Sequence, residues 1–235
     1  MPAGLPGAGP VRLLDVDKGL FMAVADLPLD RYGESAINKA LADLDWVSRI
    51  AIAHEKVLES FTATTAVLPM KLFTIFTTDD RAIDHVRRQR ARIVRLVKRV
   101  ANHEEWGIRV VLDRTLAAGA LSKHNAVTRP NSGLSYLTQK KARRDASAQL
   151  ASRARHAVAD IFDRLAARAG GAKRRAASEL PVQGGPLLLD AAFLVPRARS
   201  AAFKALAARE SKALARQGYG LTISGPWPPY TFVQD

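Results

Sequence analysis

Ile223-Ser-Gly-Pro-Trp-Pro-Pro-Tyr-Thr-Phe-Val233 places three prolines and three aromatics beside the end of a 235-residue chain. Proline fixes φ and removes an amide donor at 226, 228 and 229, so the segment reads as neither a helix nor a central strand. Such an end must dock on the remainder of the chain. Just before it, Tyr219, Leu221 and Ile223 alternate with Gly220, Thr222 and Ser224, the period of a half-buried strand. Gly218 is placed to cap a helix over Arg197–Gln217 that carries Phe203, Leu206 and Leu214. The closing order is helix, strand, docked tail.

Working back, Leu187–Val195 is a strongly apolar strand, and Gly170 to Ser178 reads as a flexible linker. A long helix is expected over 134–169, with only alanine as its apolar residue between Leu137 and Leu150. Arg114 to Ser132 is a polar connection, and Trp106–Leu112 a β-branched strand. In the first half, Val11–Leu14 and Gly19–Ala25 form a hairpin across Asp15-Val-Asp-Lys-Gly19. From Ser35, read as an N-cap, a helix runs to Phe61 with Ile37, Leu41, Leu44, Val47, Ala51, Val57 and Leu58 inward. Thr65–Phe76 is read as a buried strand with an irregularity at Pro69. Thr78 then caps a helix to about Ala101, with Ile83, Val86, Ile93, Leu96, Val97 and Val100 on its inner side.

Strands separated by helices in this order predict an α+β protein: two ferredoxin-like α/β sandwich domains, antiparallel sheets with helices packed on one face. The expected division is a flexible segment 1–10, an N-terminal domain 11–103 and a C-terminal domain 104–235 that includes the tail.

Ser224-Gly-Pro-Trp-Pro-Pro-Tyr230 after a strand, and Val67-Leu-Pro-Met-Lys-Leu-Phe-Thr-Ile-Phe76, together resemble the gas vesicle protein L/F family of accessory proteins. His54-Glu55-x-Val57-Leu58, Glu105-Trp106-Gly107-x-Arg109-Val110, Ser132-Gly133-x-x-Tyr136-Leu137 and Phe193-Leu194-Val195-Pro196 match it in order, from about Ala36 to the end. Leu72-Phe73 departs from the family's usual Phe-Gly. The family's opening strand is also absent, and the Gly- and Pro-rich Met1 to Pro10 reads as a shortened or misassigned start. The resemblance implies the same two-domain plan and a minor gas vesicle component that assists nucleation and assembly by binding the hydrophobic shell protein before it aggregates. The expected partners are that shell protein and other gas vesicle accessory proteins; the expected location is the gas vesicle and the cytoplasm.

Composition bounds the alternatives. There are no cysteines, hence no disulfide or thiolate chemistry, and no run approaches the roughly 18 apolar residues of a spanning helix, so no membrane role is expected. Thirty-six Lys+Arg against 22 Asp+Glu leave a formal +14, concentrated in 81–99 and 140–175. Such runs read first as solvated faces of amphipathic helices and second as a nucleic-acid surface. The second is disfavoured, because no aromatics interleave with the basic stripe. Phosphate-loop, nucleophile-elbow and zinc-helix patterns are missing, and His54, His85, His103, His124 and His156 are scattered singly. His54 and Glu55, adjacent on a helix, point about 100° apart. No catalytic residue, metal or cofactor is expected, and no enzyme. Candidate partner-binding residues are Val67, Pro69, Met70, Phe73, Phe76, Trp227, Tyr230 and Phe232. For the two apolar segments that hold them, burial in the fold is the competing reading.

Overall fold

The computed structural model describes residues 2–113, 141, 152–176 and 185–234. It is mixed α/β with antiparallel sheets, and the chain divides into two units: Met1–His103 with Trp227–Asp235, and Glu104–Pro226. The tail, read from sequence as part of the C-terminal domain, thus groups with the N-terminal unit.

In the N-terminal unit, β1 (Arg12–Asp17) and β2 (Leu20–Val24) pair antiparallel, turning at Gly19, whose φ of +73° suits glycine. The register slips between Asp15 and Asp17. Val16, in that irregularity, is buried with Met22, Ala82 and Val86. Arg12 forks to Asp26, in the segment that leaves the hairpin, and to Asp79, tying the hairpin to the start of the helix Asp79–Arg88. The segment expected to be flexible is held down here: Tyr32 donates its hydroxyl to the Pro6 carbonyl at 2.7 Å, and the Gly9 amide donates to Asp26.

After a one-turn α1 (Leu29–Tyr32), the single helix expected from Ser35 to Phe61 is instead two: α2 (Glu34–Ala40) and α3 (Leu44–Glu59). Asp43 makes the break. Its carboxylate accepts from the Asp45 and Trp46 amides, so it caps a new helix rather than continuing the old one. The break resets the helical phase: Ile50 goes into the core, while Leu41, Leu44 and Ala51, expected inward, are exposed. Thr78 caps α4 (Asp79–Arg88) as expected, but the helix ends at Gln89 and α5 (Arg90–Val100) follows.

Thr65–Phe76 is not a strand. Its residues hydrogen-bond only in local turns, apart from the Thr65 carbonyl accepting from Asn102, and Phe73 adopts φ +63°. Pro69 and that left-handed residue preclude a continuous ladder. The sheet of this unit therefore has two strands, where a ferredoxin-like plan calls for four.

The C-terminal unit is built on β3 (His103–Leu112), helix α6 (152–166), β4 (Gly171–Arg174), β5 (Leu187–Pro196), a 3₁₀ turn Arg197–Arg199, α7 (Ser200–Ala215) and β6 (Tyr219–Trp227). Its four-stranded sheet has the order β4-β5-β3-β6, a split β-α-β arrangement with β5 between β3 and β4. Residues 171–174, expected in a linker, form the edge strand β4, with Gly171 opposite Leu194 and Arg174 opposite Ala191. A short basic edge gives no alternating apolar signal, yet it is how open sheet edges are commonly finished. The core joins Trp106, Ile108 and Val110 of β3 to Phe193 of β5, Ile161 and Leu165 of α6, and Phe203 and Leu214 of α7. The polar connection expected over 114–132 and the part of the expected helix from 134 to 151 lie outside the described residues, Lys141 excepted.

Proline does not keep the tail from being helical. Pro229 begins a short helix, α8 (Tyr230–Val233), since a first-turn proline gives up an amide that would have no partner there.

Candidate functional site

The tail docks through its aromatics. Phe232 is fully buried, with the Arg99 guanidinium 5.6 Å above its ring, and Arg92 reaches the Val233 carbonyl. Tyr230 donates its hydroxyl to Glu55 of α3. Pro228, Pro229 and Val233 are buried as well. These contacts assign Tyr230 and Phe232 to packing within the N-terminal unit, whereas Trp227 stands 38% exposed. The basic stripe is partly consumed in the same way: Arg90 pairs with Asp17, and Arg87 donates to the Val16 carbonyl.

The other candidate segment behaves differently. Expected buried, Val67, Pro69, Phe73 and Phe76 are only half-buried, and Met70 and Ile75 are exposed. With no ladder to anchor them, these side chains lean on neighbours singly. Phe73 stacks on Trp46, centroids 5.6 Å apart and planes within 7°, and Trp46 meets Tyr32 at 6.4 Å. Phe76 tilts against His85. Phe73 and Tyr32, the two ends of the first row, wall an open groove of about 330 Å³, completed by Leu29, Gly33, Glu34, Ile37, Asn38 and Ile75. Gly33 is required at its floor: a Cβ there would sit 2.6 Å from the Leu29 carbonyl oxygen. The groove is lined mainly by apolar side chains, as sites for apolar ligands are.

Beyond the groove, further large apolar side chains face solvent. The large hydrophobic side chains exposed among the described residues are Leu13, Phe21, Leu29, Leu41, Leu44, Ile52, Met70, Ile75 and Trp227, and all nine belong to the N-terminal unit. Leu29 and Leu44 are 80% exposed, Phe21 and Ile52 56%. Leu44, Ser48 and Ile52 follow one i+4 ridge of α3, a solvent-facing stripe opposite the buried Ile50. Leu44 and Ile75 were missed in sequence because their apolar character was credited to a helix core and a buried strand, while Leu29 and Ile52 were given no role. The signal available was Asp43, a capping residue in mid-pattern.

Among the described residues no three His, Asp or Glu side chains converge as metal ligands, and no helix is long and apolar enough to cross a membrane. Glu55, beside His54 on α3, accepts the Tyr230 hydroxyl. Burial pushes the His54 imidazole below its ordinary pKa, while the Glu55 charge opposes that shift. In the C-terminal unit the buried carboxylates are neutralised in place: Asp190 by Arg175 and Arg109, Glu210 by Arg164.

The family model described as gas vesicle synthesis protein GvpL/GvpF matches residues 2–234. The gas vesicle protein L of Streptomyces sp. (strain CB03234) is 31% identical over 239 residues, covering 99% of this chain and 87% of that protein. Two crystal structures share the fold at 18% identity. One is the gas vesicle protein GvpF from Anabaena sp. PCC7120, with a TM-score of 0.71 over 100% of this chain and 89% of that one. The other is GvpF from Microcystis aeruginosa, with a TM-score of 0.62 over 100% and 96%.

Proposed function

The chain belongs to the gas vesicle synthesis protein GvpL/GvpF family, and from that premise we propose that it is a non-enzymatic assembly factor that binds the hydrophobic gas vesicle shell protein and limits its aggregation. It acts as a minor component, in the cytoplasm and at the growing vesicle, alongside other gas vesicle accessory proteins. The observation that carries this reading is the gathering of every exposed large hydrophobic side chain among the described residues onto the N-terminal unit. A surface of this kind costs solubility unless it has a partner, and an apolar subunit awaiting assembly is a fitting one.

The contact surface follows from the same argument. The groove between Leu29 and Ile75 accepts an apolar side chain, and the Leu44–Ile52 ridge offers a helix face on which an amphipathic segment can lie. Val67, Pro69, Met70, Phe73 and Phe76 belong to this surface or support it. Trp227 lies in the same unit, while Tyr230 and Phe232 act indirectly by holding the tail.

The test is co-expression with the host's shell protein, followed by sedimentation of the shell protein at low and high salt. Wild type is expected to keep it soluble at both, because apolar contact is insensitive to screening. A Leu29→Ser/Leu44→Ser/Ile52→Ser variant is expected to stay folded, its changes being on the surface, and to lose that protection. Protection that survives in the variant would remove this surface from the mechanism, and wild type that never protects would remove the mechanism.

A further inference from the structure

Charge and apolarity are divided between the two units. Residues 104–226 hold 21 of the chain's 36 Lys+Arg and only 9 of its 22 Asp+Glu, so nearly all of the formal +14 resides there. Part of it is spent internally on Asp190 and Glu210. The remainder is ordered. α6 and α7 cover the same core, are tied by Arg164 to Glu210, and so present their outward sides as one surface.

On α7 and its cap, Lys204, Ala208, Lys212 and Arg216 fall on one i+4 ridge, exposed along about 18 Å. Arg209, with its side chain 76% exposed, borders that ridge, and Arg153 and Arg155 extend the surface on α6. Among the described residues, no carboxylate pairs with Lys204, Lys212 or Arg216. Cations repeated at helical pitch without partners repel one another and are relieved by an anion of matching pitch.

We propose that this two-helix face is a second docking surface, and that its occupant is an acidic polypeptide segment, independent of the apolar partner of the N-terminal unit. Charge complementarity selects an anion, and two observations favour a polypeptide over nucleic acid. Among the described residues no Phe, Tyr or Trp ring is exposed on either helix for a base to stack on, His156 of α6 being the exposed ring there: Phe162 is half-buried beneath Arg174, and Phe203 is in the core. Asp160 and Asp163 also stand exposed on the outer side of α6, where they would repel any anion, so the continuous cationic run is the α7 ridge, whose length of about 18 Å suits a short acidic segment better than an extended phosphate chain.

The experiment is fluorescence polarisation of labelled poly-L-glutamate with the full chain, with random duplex DNA in parallel and light scattering to report mass. Lys204→Glu/Lys212→Glu/Arg216→Glu is compared with Lys18→Glu/Lys39→Glu/Lys56→Glu, the same charge change on exposed positions of the N-terminal unit. Salt-sensitive poly-glutamate binding, weakened about tenfold or more by the first variant and little by the second, supports the proposal. Equal losses in both variants would reduce the effect to net charge and overturn it. DNA binding without poly-glutamate binding would overturn it in favour of nucleic acid. A salt-sensitive dimer that the α7 variant abolishes would assign the face to a second copy and overturn it too. Both variants are required to keep the wild-type thermal midpoint, and if the α7 variant unfolds, Lys212→Gln/Arg216→Gln replaces it.

Discussion

Phe73 carries a side chain on a backbone that favours glycine, with φ of +63°. A side chain there costs about 1–2 kcal/mol, and stacking on Trp46 returns about 0.5–1.5 kcal/mol. Phe73→Ala keeps the cost and loses the stack, whereas Phe73→Gly loses both. The alanine variant is therefore expected to be the less stable of the two by about 1 kcal/mol, read from urea midpoints. Alanine equal to or above glycine would mean that the left-handed backbone is not retained. His54 offers a second check. Its folded pKa lies below the unfolded value, so the unfolded state takes up the proton first. Stability should hold above about pH 6.5 and fall as pH drops below it, until the folded pKa is passed. His54→Gln should flatten that slope between about pH 7.5 and 5.5, a window well above the carboxylates that Arg12 and Arg90 hold low, Asp79 and Asp17. Sequence could flag both residues but not their settings, because a dihedral and a degree of burial are fixed by neighbours distant in the chain.

Among the elements, the tail is the one whose role can be isolated. Phe232 is fully buried, so Phe232→Ala should cost about 3–5 kcal/mol. Tyr230→Phe should cost about 1–3 kcal/mol, because Glu55 already has one buried oxygen without a partner and would lose the donor to its other. Hydrogen exchange locates the damage: protection should fall in α3 and α5, which the tail residues touch, and persist in β5 around Phe193. A uniform loss across the chain would deny the tail this local role. Elements with strong periodicity were legible in the sequence, among them the hairpin at 12–24, β5 and α7. Those decided by a single competing hydrogen bond or an edge position were not. Asp43 split a helix whose apolar pattern runs on past it, Pro69 and Phe73 kept an apolar run out of any sheet, and basic β4 gave no alternation to read. The candidate site was misread for the same cause: side chains counted into a helical or strand core were turned outward once those elements broke.

At the scale of the molecule, the two units have nearly the same hydrophobic content, but the formal +14 is divided very unevenly between them. The N-terminal unit is nearly balanced, with 15 Lys+Arg against 13 Asp+Glu, and bears the exposed apolar side chains. Forces of different range then govern the two faces. Apolar contact acts at touching distance and is indifferent to salt, while the cationic ridge acts over about 8–10 Å and fades as salt rises. If the faces serve separate partners, their substitutions should be orthogonal. Leu29→Ser/Leu44→Ser/Ile52→Ser should abolish protection of the shell protein yet leave poly-glutamate affinity within about twofold, and the α7 charge reversal should do the opposite. Combining the two sets should give the product of the separate effects, since sites without shared partners add in free energy. Measured as a cycle at low salt, a departure beyond about 0.5 kcal/mol would show that one partner spans both faces, and the two docking surfaces would then have to be treated as one.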